Sequence, residues 1–303
     1  KQTFNNKKII LKQELSFWSS FVNKNYSLII NNYTEKDMKF LGDPRAVKGG
    51  TLRHITSRFP ATLRTEGQGS NYVENGTIGS MCYQGLISTH PVTLDFVPVL
   101  ASHWKVSDDK MTFWFRINPK AQFSDGTYVS VDDVIATWDL LMDETILYPS
   151  HQITYGIFER PIAESMYIVS VEAKETQWRN FQNFAYMTIL PAYYVDQVDG
   201  AEYLEEYQFS MMPNSGPYIL KNEDIINQES YKITRRHDYW GKDLIQNRYQ
   251  CNFDAINWFV IKDNATLPFE KFKKGEFDYF EVNRSARWVE DCVPEKIKAI
   301  DKG

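Results

Sequence analysis

The stretch from residue 93 to residue 143 constrains the fold more than any other part of the sequence. Residues 104–106 and Thr112–Ile117 are rich in β-branched and aromatic side chains, which favour strands, and a Ser-Asp-Asp-Lys turn separates them. Apolar residues from Val131 to Met142 then recur at helical spacing. The sequence therefore predicts a β-hairpin followed by an amphipathic helix.

The start of that helix carries a capping signal. Ser130 stands at the N-cap position and Asp133 three residues later, a variant of the capping box. In this arrangement each side chain satisfies a backbone N–H group that the first helical turn leaves without a partner. We therefore expect the helix to begin at residue 131.

Strand and helix patterns alternate along the rest of the chain, which favours an α/β fold. The predicted strands lie at 51–55, 167–173, 231–235, 256–261 and 277–282. The predicted helices lie at 79–86, 181–190 and 268–274, with Pro191 ending the second and Gly275 closing the third.

Charge and composition exclude some classes of function. The 303 residues include 34 basic and 39 acidic side chains, and this balance argues against a nucleic-acid surface. Aromatic residues make up 15% of the chain, which suits the binding of flexible polar ligands. The sequence contains no apolar run of about 18 residues, the length that a membrane span needs. Residues 1–12 lack the apolar region of a signal peptide.

The sequence gives no pattern of a catalytic or metal centre. The five histidines are scattered, no HExxH, GxSxG or phosphate-binding loop occurs, and we expect no catalytic residue, metal or cofactor. The three cysteines lack zinc-site spacing, and Cys251 with Cys292 is the only pair that we consider for a disulfide. A glycoside hydrolase that uses two facing carboxylates remains the alternative, together with an oligosaccharide-binding protein.

Several motifs occur in a fixed order: LASHWKVSDD at 100–109, TFWFRI at 112–117, FSDGT at 123–127, VDDV at 131–134, NSGPY at 214–218, RHDYWG at 236–241 and KGEFDY at 274–279. This order closely resembles extracellular solute-binding proteins of family 5, which include oligopeptide-, dipeptide- and nickel-binding proteins. The runs YWGKDL at 239–244 and SARW at 285–288 resemble the branch for longer peptides and microcin C.

The resemblance implies a two-lobed periplasmic binding protein (type II, cluster C) that closes on its ligand by a hinge. It divides the chain into an N-terminal arm (1–47), a first-lobe core (48–80 and 167–280), an extra subdomain (81–166) and a crossing into a second lobe (281–303). Because members of the family are longer, we expect only the first lobe and the start of the second here.

The same resemblance implies the partners. The ligand would be a peptide, which an ABC permease of the inner membrane receives, and a second polypeptide would carry the rest of the fold. The protein would be periplasmic, or lipid-anchored on the outer face of a bacterial membrane.

The resemblance also nominates ligand-binding residues on the first lobe. The loop after the first strand contributes Ser57, Arg58 and Phe59. A second loop contributes Ser70, Asn71 and Tyr72, and Tyr155 stands where peptide-binding members have a contacting tyrosine.

Overall fold

The structure is a computed structural model that describes residues 41–262, 266–282 and 284–292. Most of the expected arm (1–47) and of the expected crossing (281–303) lies outside these residues. The strands are β1 Thr51–Thr56, β2 Ile87–Thr89, β3 Phe96–Pro98, β4 Ala101–Val106, β5 Thr112–Ile117, β6 Ile162–Ser165, β7 Ile168–Glu172, β8 Tyr218–Ile226, β9 Ser230–Arg235 and β10 Ala255–Val260. The helices are α1 Val73–Cys82, α2 Val131–Met142, α3 Pro149–Tyr155, α4 Asn180–Ala185, α5 Ala192–Val195, α6 Gly200–Glu206, α7 Leu267–Lys273 and α8 Ser285–Glu290.

One four-stranded sheet joins β1, near the start of the described residues, to the much later strands β8, β9 and β10. Its order is β1-β10-β9-β8, so that β1 lies at an edge. β1 and β10 run parallel, with Thr51 opposite Ala255, whereas β9 is antiparallel to both β10 and β8. Two of the predicted strands, at 231–235 and 256–261, are adjacent members of this sheet.

A second four-stranded sheet has the order β4-β5-β7-β6 and is antiparallel throughout. The predicted hairpin is confirmed, since Trp104 of β4 lies opposite Phe115 of β5. The expected subdomain boundary at 166/167 falls inside the β6–β7 hairpin, and both strands of this hairpin belong to the second sheet. β7 therefore pairs with strands of the subdomain, although the sequence assigned it to the first-lobe core.

Helix α2 begins as predicted. The Ser130 hydroxyl accepts a hydrogen bond from the backbone N–H of Asp132, and the Asp133 carboxylate accepts one from the backbone N–H of Ser130. The other oxygen of Asp133 accepts a hydrogen bond from the Ala192 N–H at 2.7 Å. The same carboxylate thus caps α2 and ties it to the start of α5.

Two of the predicted helices have different bounds. α1 begins at Val73 and ends at Cys82, earlier than the 79–86 that apolar residues indicated. α4 ends at Ala185, and Pro191 is the N-cap of α5 rather than the end of a long helix. Residues 187–190 lie outside any helix or strand, and their backbone bonds to other segments, such as Ile189 N–H to the Gln84 carbonyl.

The strand predicted at 277–282 does not form. Asp278 instead joins the outer edge of β1 at a single point, where its carboxylate accepts hydrogen bonds from the Arg53 backbone and guanidinium. The Asp278 N–H in turn donates to the Arg53 carbonyl at 3.0 Å. One residue pair of this kind does not make a strand ladder, so the segment stays irregular.

Candidate functional site

The carboxyl ends of the parallel strands β1 and β10 form one edge of the first sheet, and this is the edge meant below. The two strands end together, with Thr56 opposite Val260. Ligands of open α/β sheets bind outside the carboxyl ends of such strands. Helix α1, which follows the loop after β1, starts at this edge: the Thr56 hydroxyl donates a hydrogen bond to Oε1 of Glu74 in its first turn, at 2.5 Å. This edge is the candidate ligand wall.

A row of aromatic side chains crosses the sheet just behind the edge. His54 of β1 lies opposite Trp258 of β10, which lies opposite Tyr231 of β9. The rings of Trp258 and Tyr231 stack with centroids 5.1 Å apart and 11° between their planes. Because Thr56 shares the face of His54 and bonds to α1, the row lies beneath the start of that helix.

His54 marks the exposed end of the row. Its ring stacks on Tyr279 at 5.2 Å, and Tyr279 is 49% exposed. Burial lowers the pKa of His54, while the nearby carboxylates of Glu74 and Glu281 act in the opposite direction. Since the net shift is downward from 6.5, the imidazole is neutral at neutral pH.

Two buried polar atoms in this row have no hydrogen-bond partner in the described part of the chain. They are His54 Nδ1 and the hydroxyl of Tyr231, whose side chain is fully buried. Burial, and then the charge of Glu74, raises the pKa of Tyr231, so this phenol stays protonated. The edge therefore has the Glu74 carboxylate at its surface and, behind it, an aromatic row with two polar atoms that lack a hydrogen-bond partner.

The three residues predicted after β1 divide between surface and core. Ser57 and Arg58 are exposed at the edge. Phe59 is buried and packs edge-to-face on Tyr231, with ring centroids 5.9 Å apart. Phe59 therefore supports the aromatic row from inside, whereas Ser57 and Arg58 face solvent.

The second predicted loop comes to the same edge. Tyr72 is the N-cap of α1, and the Arg58 guanidinium lies 4.7 Å from the centroid of its ring. Asn71 is exposed, whereas Ser70 is buried and donates a hydrogen bond to the Gly67 carbonyl. The structure thus brings Arg58 and Tyr72 together and gives Ser70 a role within the loop.

Tyr155 lies in a different environment. Its ring centroid is 5.9 Å from that of His151, whose Nε2 is 3.3 Å from Glu66 Oε2. Burial, followed by the charge of Glu66, raises the pKa of Tyr155. Tyr155 belongs to this buried polar cluster, and none of its described contacts is with Arg58 or Tyr72.

The residues of the edge and of the aromatic row that were not nominated from the sequence include His54, Glu74, Tyr231 and Trp258. Alternation within β1 would have placed His54 and Thr56 on one face. The pairing of β1 with β10 could not be read locally, because about 200 residues separate His54 from Trp258.

A separate hollow of about 1070 Å³ lies at the opposite, amino ends of β1 and β10, near Lys48 and Asn252. Its polar groups already bond to one another: Gln84 donates to the Tyr239 hydroxyl and accepts from the Trp240 indole. Because parallel strands present ligands at their carboxyl ends, we place the candidate site at the other edge despite the volume of this hollow.

Other functional features were sought in the same residues. Over residues 41–262, 266–282 and 284–292, no group of three or more His, Cys, Asp or Glu side chains could hold a metal ion. Of the helices described, none has the length and apolar character that crossing a membrane requires. All three cysteines are free thiols, so no bond joins Cys251 to Cys292.

Comparison with known families identifies the class of protein. Residues 95–290 match the family described as bacterial extracellular solute-binding proteins, family 5 middle. This match covers more than half of the chain. The chain therefore belongs to family 5 of the bacterial extracellular solute-binding proteins, a family of binding proteins rather than enzymes.

Several curated relatives are similar to the chain over most of its length. A candidate binding protein of Brucella melitensis is 30% identical over 261 residues, which are 84% of this chain and 40% of that protein. Two Agrobacterium fabrum proteins, the peptidoglycan-binding protein YepA and the probable peptide-binding protein YejA, are 27% and 28% identical. They are matched over 78% and 81% of this chain, and 38% and 39% of their own lengths. The chain thus spans about two fifths of these relatives.

Solved structures share the fold. The oligopeptide-binding protein AppA of Bacillus subtilis, in complex with a nonapeptide, superposes with a TM-score of 0.68 at 23% identity. The superposition covers 81% of this chain and 46% of AppA. The expected α/β architecture of periplasmic binding proteins is thereby confirmed.

Proposed function

We propose that this chain supplies the first-lobe wall of a peptide-binding protein that delivers its ligand to an ABC permease. The observation that carries the proposal is the position of β1 at the edge of the first sheet, where Asp278 bonds to Arg53 in the middle of the strand and not at its carboxyl end. β1 is an edge strand, and its carboxyl end lies beside the exposed Arg58 and the half-buried Tyr72. Extended peptides bind such edges by adding a strand, with side chains held in adjoining pockets.

The names of the relatives support the ligand class. One relative is named a probable peptide-binding protein, and AppA was solved with a nonapeptide. Of the nominated ligand-binding residues, Ser57, Arg58, Asn71 and Tyr72 would line the wall. Phe59, Ser70 and Tyr155 would act from behind it, in view of their packing.

Calorimetry on the complete protein that carries this chain tests the proposal. We expect heat of binding with a mixed tetrapeptide library and none with an oligosaccharide of similar size. The reverse result would favour the oligosaccharide-binding alternative. Release of reducing sugar from an oligosaccharide would favour the glycoside hydrolase, which needs two carboxyl groups about 5–10 Å apart across a pocket.

The remaining parts of the function are also proposals. Uptake of microcin C would follow from the branch that the motifs resemble, and competition between microcin C and tetrapeptides would test it. The location would be the periplasm or the outer face of a membrane, which cell fractionation distinguishes. The second wall of the cleft could come from a second polypeptide, and co-purification of such a chain would reveal it.

A further inference from the structure

The hydroxyl of Thr56, the last residue of β1, links the strand to two other segments. Thr56 is buried, and its hydroxyl donates a hydrogen bond to Glu74 Oε1 at 2.5 Å. The same hydroxyl lies 3.1 Å from the carbonyl oxygen of Arg58, two residues along the chain. The Thr56 carbonyl accepts a hydrogen bond from the Ile261 N–H at 2.9 Å. Thr56 is therefore tied to the sheet through its backbone and to α1 through its side chain.

A second contact joins the same two segments at the surface. The Arg58 guanidinium lies 4.7 Å from the centroid of the Tyr72 ring. Tyr72 is the N-cap of α1, and Glu74 lies in the first turn of that helix. The segment 56–58 and the start of α1 are thus connected twice. One connection is the hydrogen bond from Thr56 to Glu74, and the other is the packing of Arg58 over Tyr72.

The two connections differ in their exposure. Arg58 is exposed and Tyr72 is half-buried, so both have surface at the edge that a ligand can contact. Glu74 is also half-buried, but its Oε1 is bonded to the hydroxyl of the buried Thr56. The carboxylate can therefore act on the wall from behind, through Thr56.

Contacts of this kind affect binding when they order a loop in advance. A loop that is mobile in the free protein loses conformational freedom when a ligand binds, and this loss lowers the affinity. Arginine has many rotamers, and immobilising one such side chain on binding lowers an association constant by up to about 10-fold. A turn that is already held in place before the ligand arrives avoids this loss.

We propose that Glu74 is a positioning residue, which acts through Thr56 to hold the turn at residues 57 and 58 in place for the ligand. The inference rests on the proposed function and deepens it, because it assigns a role to a residue behind the surface that the peptide would contact. The hydrogen bond of Glu74, and not its charge, is what the wall requires.

Calorimetry on the complete protein with the mixed tetrapeptide library tests this role. Glu74→Ala removes the acceptor, and Thr56→Val removes the donor with little change of shape. We expect each to raise the apparent dissociation constant by about 10-fold, because the turn must then be ordered on binding. Glu74→Gln keeps a side-chain oxygen for Thr56 and should bind as wild-type protein does.

A double variant and a matched control sharpen the comparison. Thr56→Val combined with Glu74→Ala should bind no more weakly than either single variant, because the two side chains form one contact. Thr77→Val is the control on the same helix, since the Thr77 hydroxyl donates to the Val73 carbonyl and not to β1. This variant should leave the affinity unchanged.

Hydrogen exchange in the protein without ligand separates positioning from a general loss of stability. We expect the segment 57–72 to exchange faster in Glu74→Ala than in wild-type protein and in Glu74→Gln. The strands β4 and β5 should exchange at the same rate in all three proteins. Unchanged exchange of the segment 57–72 in Glu74→Ala would contradict the inference.

The binding results that would overturn the inference differ in what else they remove. If Glu74→Ala binds the library as well as wild-type protein does, the positioning role is wrong while peptide binding stands. The same holds if Glu74→Gln loses as much affinity as Glu74→Ala, because the charge would then be what matters. If wild-type protein binds no tetrapeptide, the proposed function fails and this inference fails with it.

Discussion

Glu66 and His151 face each other inside the protein, with 3.3 Å between Glu66 Oε2 and His151 Nε2. Burial raises the pKa of Glu66 to about 8 and lowers the pKa of His151 to about 4. Both side chains are therefore neutral at pH 7, and the pair is a polar contact rather than an ion pair. Its location beside Tyr155 gives this cluster a structural role.

The pH dependence of stability should report on Glu66. An acid whose pKa rises on folding contributes stability that is present below its unfolded value of 4.5 and is lost as the pH rises toward about 8. His151 acts in the opposite sense, since its contribution is present above 6.5 and is lost as the pH falls toward about 4. Between pH 6.5 and pH 8 only the loss from Glu66 remains.

We therefore expect the Glu66→Gln variant to keep its melting temperature between pH 6.5 and pH 8, where wild-type protein loses stability. Thermal unfolding followed by circular dichroism at a series of pH values measures this. The exposed Glu172→Gln variant serves as the control and should follow the wild-type curve. Parallel curves for wild type and Glu66→Gln would show that Glu66 titrates normally.

Tyr72 and Tyr155 should respond differently to replacement by alanine. Tyr72 lies at the edge under Arg58, so Tyr72→Ala should weaken peptide binding by about 1–2 kcal/mol and leave the melting temperature nearly unchanged. Tyr155 packs against the buried cluster, so Tyr155→Ala should cost about 3 kcal/mol of stability. Calorimetry and thermal unfolding of both variants decide the matter, and a pure binding defect in Tyr155→Ala would contradict the assignment.

Removal of the Tyr231 hydroxyl should not destabilise the fold. This hydroxyl is buried without a partner, so Tyr231→Phe should be neutral or stabilising by up to about 1 kcal/mol. Tyr218 on the neighbouring strand is the matched control, because its hydroxyl donates to the Phe253 carbonyl at 2.9 Å. Tyr218→Phe should cost about 1 kcal/mol in urea unfolding, and equal costs for the two variants would be evidence for a partner of Tyr231.

The cap of α2 should matter more through Asp133 than through Ser130. Ser130→Ala removes one acceptor at the helix start and should cost about 1 kcal/mol. Asp133→Ala leaves the backbone N–H groups of Ser130 and Ala192 without their acceptor and should cost more, about 2–4 kcal/mol. Urea unfolding of the two variants gives the comparison, and a smaller effect at Asp133 would show that the tie to α5 is unimportant.

The amino-acid sequence by itself determined the elements that depend on neighbouring residues. The hairpin of β4 and β5 and the capped start of α2 follow from turn residues, strand propensity and the Ser130–Asp133 spacing, all within 33 residues. The family resemblance has the same basis, because its motifs are turns and caps of fixed local form. For this reason the class of protein could be inferred before any contact was known.

Only the tertiary structure decided where distant segments meet. The apolar run 181–190 indicates a helix, yet the helix ends at Ala185, and the backbone beyond it bonds to other segments at residues such as Gln84. The edge itself depends on contacts across long sequence separations: His54 meets Trp258 and Tyr231, and Thr56 meets Glu74. Pairing energies of this kind depend on which strands become neighbours, and local propensity carries no information about that choice.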